Sequence, residues 1–143
     1  MADQRYFEDV EVGEALPTFV RRTTLMNWNR FAAVNDEFIP FHMDDAAGHA
    51  AGNEQGAFGM GNLRTSYVHN LLRAWIGDGD IREVSIQFRS INQKDDVLTA
   101  TGVVVAKSVE GDDHLVRIDV DIVDQNGTST TPGHAVVVLP SRP

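Results

Sequence analysis

Apolar and polar positions change rhythm midway along the chain, from helical spacing in the front half to alternation in the back half. Met60, Leu63, Tyr67, Leu71 and Trp75 return every three or four residues. That spacing predicts one long helix over 60–76 with a buried stripe. A Gly-rich break from Gly52 to Gly61 precedes it, and the turn Gly77-Asp-Gly-Asp ends it. A shorter helix is predicted over 25–34, capped by Thr24, with Leu25, Trp28, Phe31 and Ala32 near one face. Pro40 stops it, so Asn35 to His42 is a loop. A helical turn follows at Asp44–His49, where two acids suit a helix N-terminus.

Beyond residue 80 the pattern becomes β. Val84, Ile86 and Phe88 alternate with polar partners, and Val97–Lys107 reads as a long strand interrupted only by Gly102. Val116, Ile118, Val120 and Ile122 share one face, with Arg117, Asp119 and Asp121 on the other. Asn126-Gly127 is a hairpin signal before a last strand over 133–139. Twelve of the 17 valines lie at or after Val84, which concentrates strand propensity there. Residues 5–22 read as an extended lead-in, broken by Gly13 and Pro17. The pattern predicts an antiparallel meander beside one long helix. It is α+β, because no crossover helices separate the strands. With no repeat and no linker, residues 1–143 make a single domain.

Charge narrows the partners. The formal net of -9 repels phosphate backbones and anionic lipid surfaces, which disfavours nucleic acid and membrane as partners. Cysteine is absent, which excludes disulfides, thiolate metal sites and a Cys nucleophile. There is no secretory h-region and no apolar run near the ~20 residues that span a bilayer, so a soluble cytoplasmic protein is expected. His49, His69, His114 and His134 lack ligand-like spacing. Asp78-Gly-Asp80 and Asp112-Asp113 lack the spacing and terminal Glu of a calcium loop and read as turns. Neither a metal nor a bound cofactor is expected.

Two segments carry candidate chemistry. In Asn35-Asp-Glu-Phe-Ile-Pro-Phe-His42, a loop pinned by Pro40 holds Glu37 and His42, an acid/base pair that can meet on one water if the loop curls back. The plainer reading, a solvated acid and a structural histidine, is the commoner outcome for such a loop taken alone. In Gly56–Gly61, free amides before the long helix can polarise a carbonyl oxygen or bind an anion, although a simple loop before a buried helix is as ordinary.

Taken in order, these features resemble the MaoC-like acyl dehydratases, single-domain R-specific enoyl-CoA hydratases with the hotdog fold. The resemblance runs from about Tyr6 to Pro140. It opens on Tyr6-Phe-Glu-Asp-Val-Glu-Val-Gly13 and continues with a Thr-capped helix ending in Phe31-Ala32. The family's G-D-x-N-P-(I/L/V)-H motif aligns with Asp36-Glu37-Phe38-Ile39-Pro40-Phe41-His42, and its H-G-M with Phe58-Gly59-Met60. Its F-R-x-P-V-x-x-G-D-x-L segment aligns with Phe88 to Leu98, and its closing hairpin and strand with Asn126-Gly127 and Gly133-His134-Ala135-Val136-Val137.

The resemblance implies a five- or six-stranded antiparallel sheet wrapped around the long helix. It also implies a dimer with active sites near the subunit interface. The implied activity is a hydro-lyase reaction, reversible hydration of a 2-enoyl-CoA, with the CoA thioester as substrate. By motif position Glu37 replaces the family's Asp and His42 is its His. Gly59 with Met60 supplies the oxyanion donors, and Asp36 is the nearest alternative acid. Phe38 and Phe41 are candidates to shape the acyl pocket, and Arg89 and Lys94 to meet CoA phosphates. Glu37 for Asp, Ile39 for Asn, Asp36 for Gly and Phe58 for His are departures. They keep alive a non-catalytic hotdog subunit that completes a partner's site, and a hotdog acyl-CoA thioesterase is a further alternative. The expected assembly is a homodimer or a pair with a second hotdog chain.

Overall fold

The computed structural model describes residues 4–143. Thr24 caps helix α1 (Leu25–Asn35) through a capping box with Asn27, as its position predicts. A one-turn 3-10 helix at Pro40–His42 leads to α2 (Asp45–Ala50), which Asp44 caps by accepting from the Ala47 amide. The long helix is α3 (Gly61–Ile76). Strands β1 (Phe19–Arg22), β2 (Asp80–Ile86), β3 (Val97–Glu110), β4 (Asp113–Val123) and β5 (Gly133–Val138) complete the fold.

The five strands form one antiparallel sheet in the order β1-β3-β4-β5-β2. Two sequence expectations change here. The lead-in contributes an edge strand, β1, which pairs Phe19 with Ala100 and Arg22 with Val97. The simple meander also fails, because β2 crosses to the far edge and pairs with β5 instead of β3. The connection through β2 is long-range, and local periodicity carries no information about it. Phe88 lies beyond the end of β2 and is half exposed.

The sheet closes over α3, whose Val68, Leu71, Leu72 and Ile76 pack against Leu98, Val104, Ile118, Ile122 and Val137. The buried face is wider than the predicted stripe: Val68, Leu72 and Ile76 join Tyr67, Leu71 and Trp75. A helix wrapped by a sheet is covered on more than one side, so its apolar arc must exceed one narrow row. A second cluster of Trp28, Ala32, Ala57 and Met60 seats α1 on the loop before α3. This small cluster fixes the loop that carries the candidate chemistry. No helix among the described residues is long and apolar enough to cross a membrane.

Candidate active site

The loop between α1 and α2 curls back on itself. Asp36 ends α1 in the left-handed conformation at φ 54°, and the amides of both Asp36 and Glu37 return to the Ala32 carbonyl. The Ile39 amide bonds the Glu37 carbonyl, and the His42 amide bonds the Ile39 carbonyl. Pro40 sits at the first position of the 3-10 turn, where its missing N–H costs nothing.

This turn drives the His42 ring inward, where the residue is only 8% exposed. Its Nδ1 lies 2.8 Å from the Phe58 carbonyl oxygen. A carbonyl can only accept, so Nδ1 is the donor and Nε2 is the ring nitrogen left for a ligand. Phe41 and Phe58 stand edge-on to the ring at 4.5 and 5.1 Å and stack on each other at 5.2 Å. Phe58, which stands where the family has His, thus supplies both an acceptor and a wall.

Glu37 is tied to the other side of the same helix start. Both of its carboxylate oxygens accept from the Asn62 Nδ2, each at 3.1 Å. Residues 58 and 62 bracket Gly59-Met60-Gly61, so the two side chains are anchored on either side of the α3 N-terminus. No hydrogen bond joins Glu37 to His42 among the described residues.

The expected oxyanion donor needs correction. The Gly59 amide donates to the Asn92 carbonyl at 2.8 Å and is already engaged. The amides of Met60 and Gly61 have no hydrogen-bond partner among the described residues, and α3 has no side-chain cap. Met60 and Gly61 are therefore among the free donors at this helix start. Gly59 matters for space: a Cβ there would stand 2.1 Å from the buried Asn92 Oδ1.

Other predicted site residues fall in separate roles. Asp36 is exposed, and its backbone caps α1. Phe38 is 57% exposed beside Glu37, whereas Phe41 backs His42. The Met60 side chain is core, buried against Trp28, Ala32 and Ala57, which leaves only its amide for a ligand. Arg89 lines a different groove with Ser85 and His134 on the β2–β5 face. Lys94 is not a free cation, because its Nζ lies 2.5 Å from Asp45 Oδ1. That bond, helped by the Ala57 amide, holds the Asp45 carboxyl below the usual carboxylate range. Of the two candidates for CoA phosphates, Lys94 is thus engaged by Asp45 and Arg89 belongs to the β2–β5 groove.

Sequence reasoning missed Asn62, which only the folded loop brings to Glu37. It also missed Arg64, buried in the first turns of α3, where Nη1 donates to the Ser90 and Thr130 carbonyls and the guanidinium lies 5.0 Å from the centre of the Phe88 ring. With no carboxylate partner, burial pushes Arg64 down to about 10. It ties the segment after β2 to the start of α3.

No protein-family model matches the chain, and no curated protein is significantly similar to it. Solved structures are. An (R)-hydratase from A. caviae involved in PHA biosynthesis is similar at 26% identity, with a TM-score of 0.83 over 93% of this chain and 99% of that one. A MaoC-like dehydratase from Rhodospirillum rubrum is 22% identical, with a TM-score of 0.81 over 97% and 99%. A chain of the ChsH1-ChsH2 complex from Mycobacterium tuberculosis is 19% identical, with a TM-score of 0.79 over 90% and 98%. Asp36 and Asp95 stand where the family motifs have glycine, and they are the two non-glycine residues with positive φ among the described residues. That left-handed backbone is the one glycine adopts at no steric cost. The chain shares the hotdog fold of these (R)-hydratase and MaoC-like dehydratase structures and is similar to them over nearly its whole length.

Proposed function

We propose that the chain adds water reversibly across the double bond of a 2-enoyl-CoA. The observation that carries this reading is the anchoring of His42 to Phe58 and of Glu37 to Asn62, on either side of amides with no partner. In this reading the thioester oxygen is held by the Met60 and Gly61 amides, which stabilise the enolate charge that develops as water attacks. Glu37 and the His42 Nε2 hold one water over the double bond. Its hydroxide adds to the β-carbon, its proton ends on the α-carbon, and the pair returns to its starting protonation. Glu37 is one methylene longer than the family's Asp, and its bond to Asn62 gives that extra reach a fixed end.

Steady-state assay of the purified chain on crotonyl-CoA and longer 2-enoyl-CoAs tests the reading. Hydration lost in both Glu37→Gln and His42→Ala supports it. Inactivity of the pure chain on every length contradicts it.

Pairing with a second hotdog chain is the second reading, and a free sheet edge favours it. β2 borders the sheet with seven residues, against four for β1, which carries two arginines. A long unpaired edge invites another strand. A copy of this chain, giving a homodimer, or a related hotdog subunit fits there. Analytical ultracentrifugation of the chain alone, and with a candidate partner, separates the two.

A further inference from the structure

Between β2 and β3 the chain runs as a strap, Phe88 to Asn92, against the start of α3. Asn92 holds one end: its carbonyl accepts from the Gly59 amide at 2.8 Å, and its buried side chain fills the space where a Gly59 Cβ would stand. Phe88 holds the other end, its ring so close to Gly61 that a Cβ there would meet Cε2 at 2.7 Å. Arg64, in the first turn of α3, grips the strap between them. Its Nη1 donates to the Ser90 carbonyl at 2.7 Å and to the Thr130 carbonyl at 3.3 Å, and its guanidinium lies 5.0 Å from the centre of the Phe88 ring. The Ser90 carbonyl accepts from no backbone amide among the described residues, so Arg64 is its partner. The Met60 and Gly61 amides thus sit on a turn that the strap braces from both ends.

Packing alone does not explain an arginine here. Arg64 is 4% exposed, and its Nε finds no partner among the described residues. Leu or Met would fill similar space without desolvating a charge. What neither supplies is a planar group that donates to two carbonyls and packs on a ring at once. We propose, building on the hydratase reading for where the thioester sits, that Arg64 is a positioning residue: by holding Phe88 and Ser90 it sets the turn 59–61 and aims the Met60 and Gly61 amides at the thioester oxygen. It touches no reacting atom. With the strap loose, the same donors remain but point poorly, and a misplacement near ~1 Å can cost about 10²-fold in rate.

Infrared spectroscopy of bound butyryl-CoA, labelled with carbon-13 at its carbonyl, tests this in the full chain. The probe is saturated and cannot be hydrated, so its carbonyl stretch reports the aim of the amides whether or not the chain turns over. In the wild type the band should fall on binding, because hydrogen bonds weaken the C=O bond. Arg64→Met and Phe88→Leu should each return it most of the way to its free position, and Arg64→Lys should recover part of the fall. Arg73→Met is the control: it breaks a comparable bond, from α3 to the Gly79 carbonyl at the other end of the helix, and should leave the band in place. In steady-state hydration of crotonyl-CoA, Arg64→Met should lose about tenfold or more in kcat at unchanged KM. A purely structural Arg64 would lower the melting temperature of Arg64→Met and leave the band where the wild type has it, which would overturn the proposal. So would an equal shift in Arg73→Met, or a wild-type band that binding does not move. Phe88 is half exposed, so Phe88→Leu tests the strap even if Arg64→Met does not fold, and an unmoved band there also overturns it. Absent hydration with a lowered band that depends on Arg64 would sink the hydratase reading and leave the positioning role standing.

Discussion

Glu37 and Asn62 meet through both carboxylate oxygens, each 3.1 Å from the Asn62 Nδ2. One residue lies just past α1 and the other in the first turn of α3, so this contact sets how the motif loop sits over the helix start. Asn62→Leu keeps the size and removes the donor. Loss of a hydrogen bond to a charged group is worth ~1.5–3 kcal/mol. The expected result is a fall in kcat of about tenfold or more at unchanged KM, read by steady-state hydration kinetics. A change in KM alone would show that Asn62 serves binding and not the placement of Glu37.

Asp36 and Glu37 are neighbours in different settings, one in a left-handed cap and the other bonded to Asn62. Asp36 holds a left-handed backbone at φ 54°, which costs an L residue ~1–2 kcal/mol and glycine nothing. Asp36→Gly is expected to leave stability unchanged or raise it by up to ~1 kcal/mol, with activity retained, since glycine's greater unfolded entropy offsets part of the gain. Denaturant unfolding and a hydration assay read the two effects. Abolished activity in Asp36→Gly would return the acid role to Asp36.

Gly59 and Asn92 leave no room between them. Gly59→Ala places a Cβ 2.1 Å from Asn92 Oδ1, in a buried site where overpacking costs ~1–3 kcal/mol. The cost should shrink when measured in an Asn92→Ala background, as a double-mutant cycle would show. Equal costs in both backgrounds would locate the strain elsewhere.

Much of this was legible in the sequence, and the rest was hidden for physical reasons. Thr24, the stripe of α3 and the alternation of β4 are local patterns, and the structure follows them. The two aspartates at family glycine positions are visible as letters, but their left-handed backbone emerges only in three dimensions. Asn62, the strap held by Arg64 and the edge position of β2 depend on contacts between distant segments, which periodicity does not encode. Lys94 shows the converse. Its charge suggested a ligand, and its salt bridge with Asp45 gives it a neighbour instead.

That bond carries a pH signature. The Lys94 hydrogen bond, and then the Ala57 amide, hold the Asp45 carboxyl below its ordinary value in the folded state. A depressed carboxyl pKa stabilises the fold above the unfolded value, and the benefit is lost as pH falls through the folded one. Lys94→Met should therefore melt below the wild type at neutral pH, with the gap closing in acid, and should bind CoA as the wild type does. Thermal melts across pH check the first expectation, and a gap that widens in acid would contradict it.

In the proposed reaction Glu37 and His42 work as a pair on one water at the start of α3. Hydration of crotonyl-CoA by the purified chain, followed through loss of the enoyl absorbance, tests it most directly in the wild type, Glu37→Gln and His42→Ala. Activity is expected in the chain alone, with a fall of about 10²–10⁴-fold in each variant and circular dichroism unchanged. An inactive pure chain, with hydration appearing only beside a second hotdog subunit and indifferent to both substitutions, would contradict it.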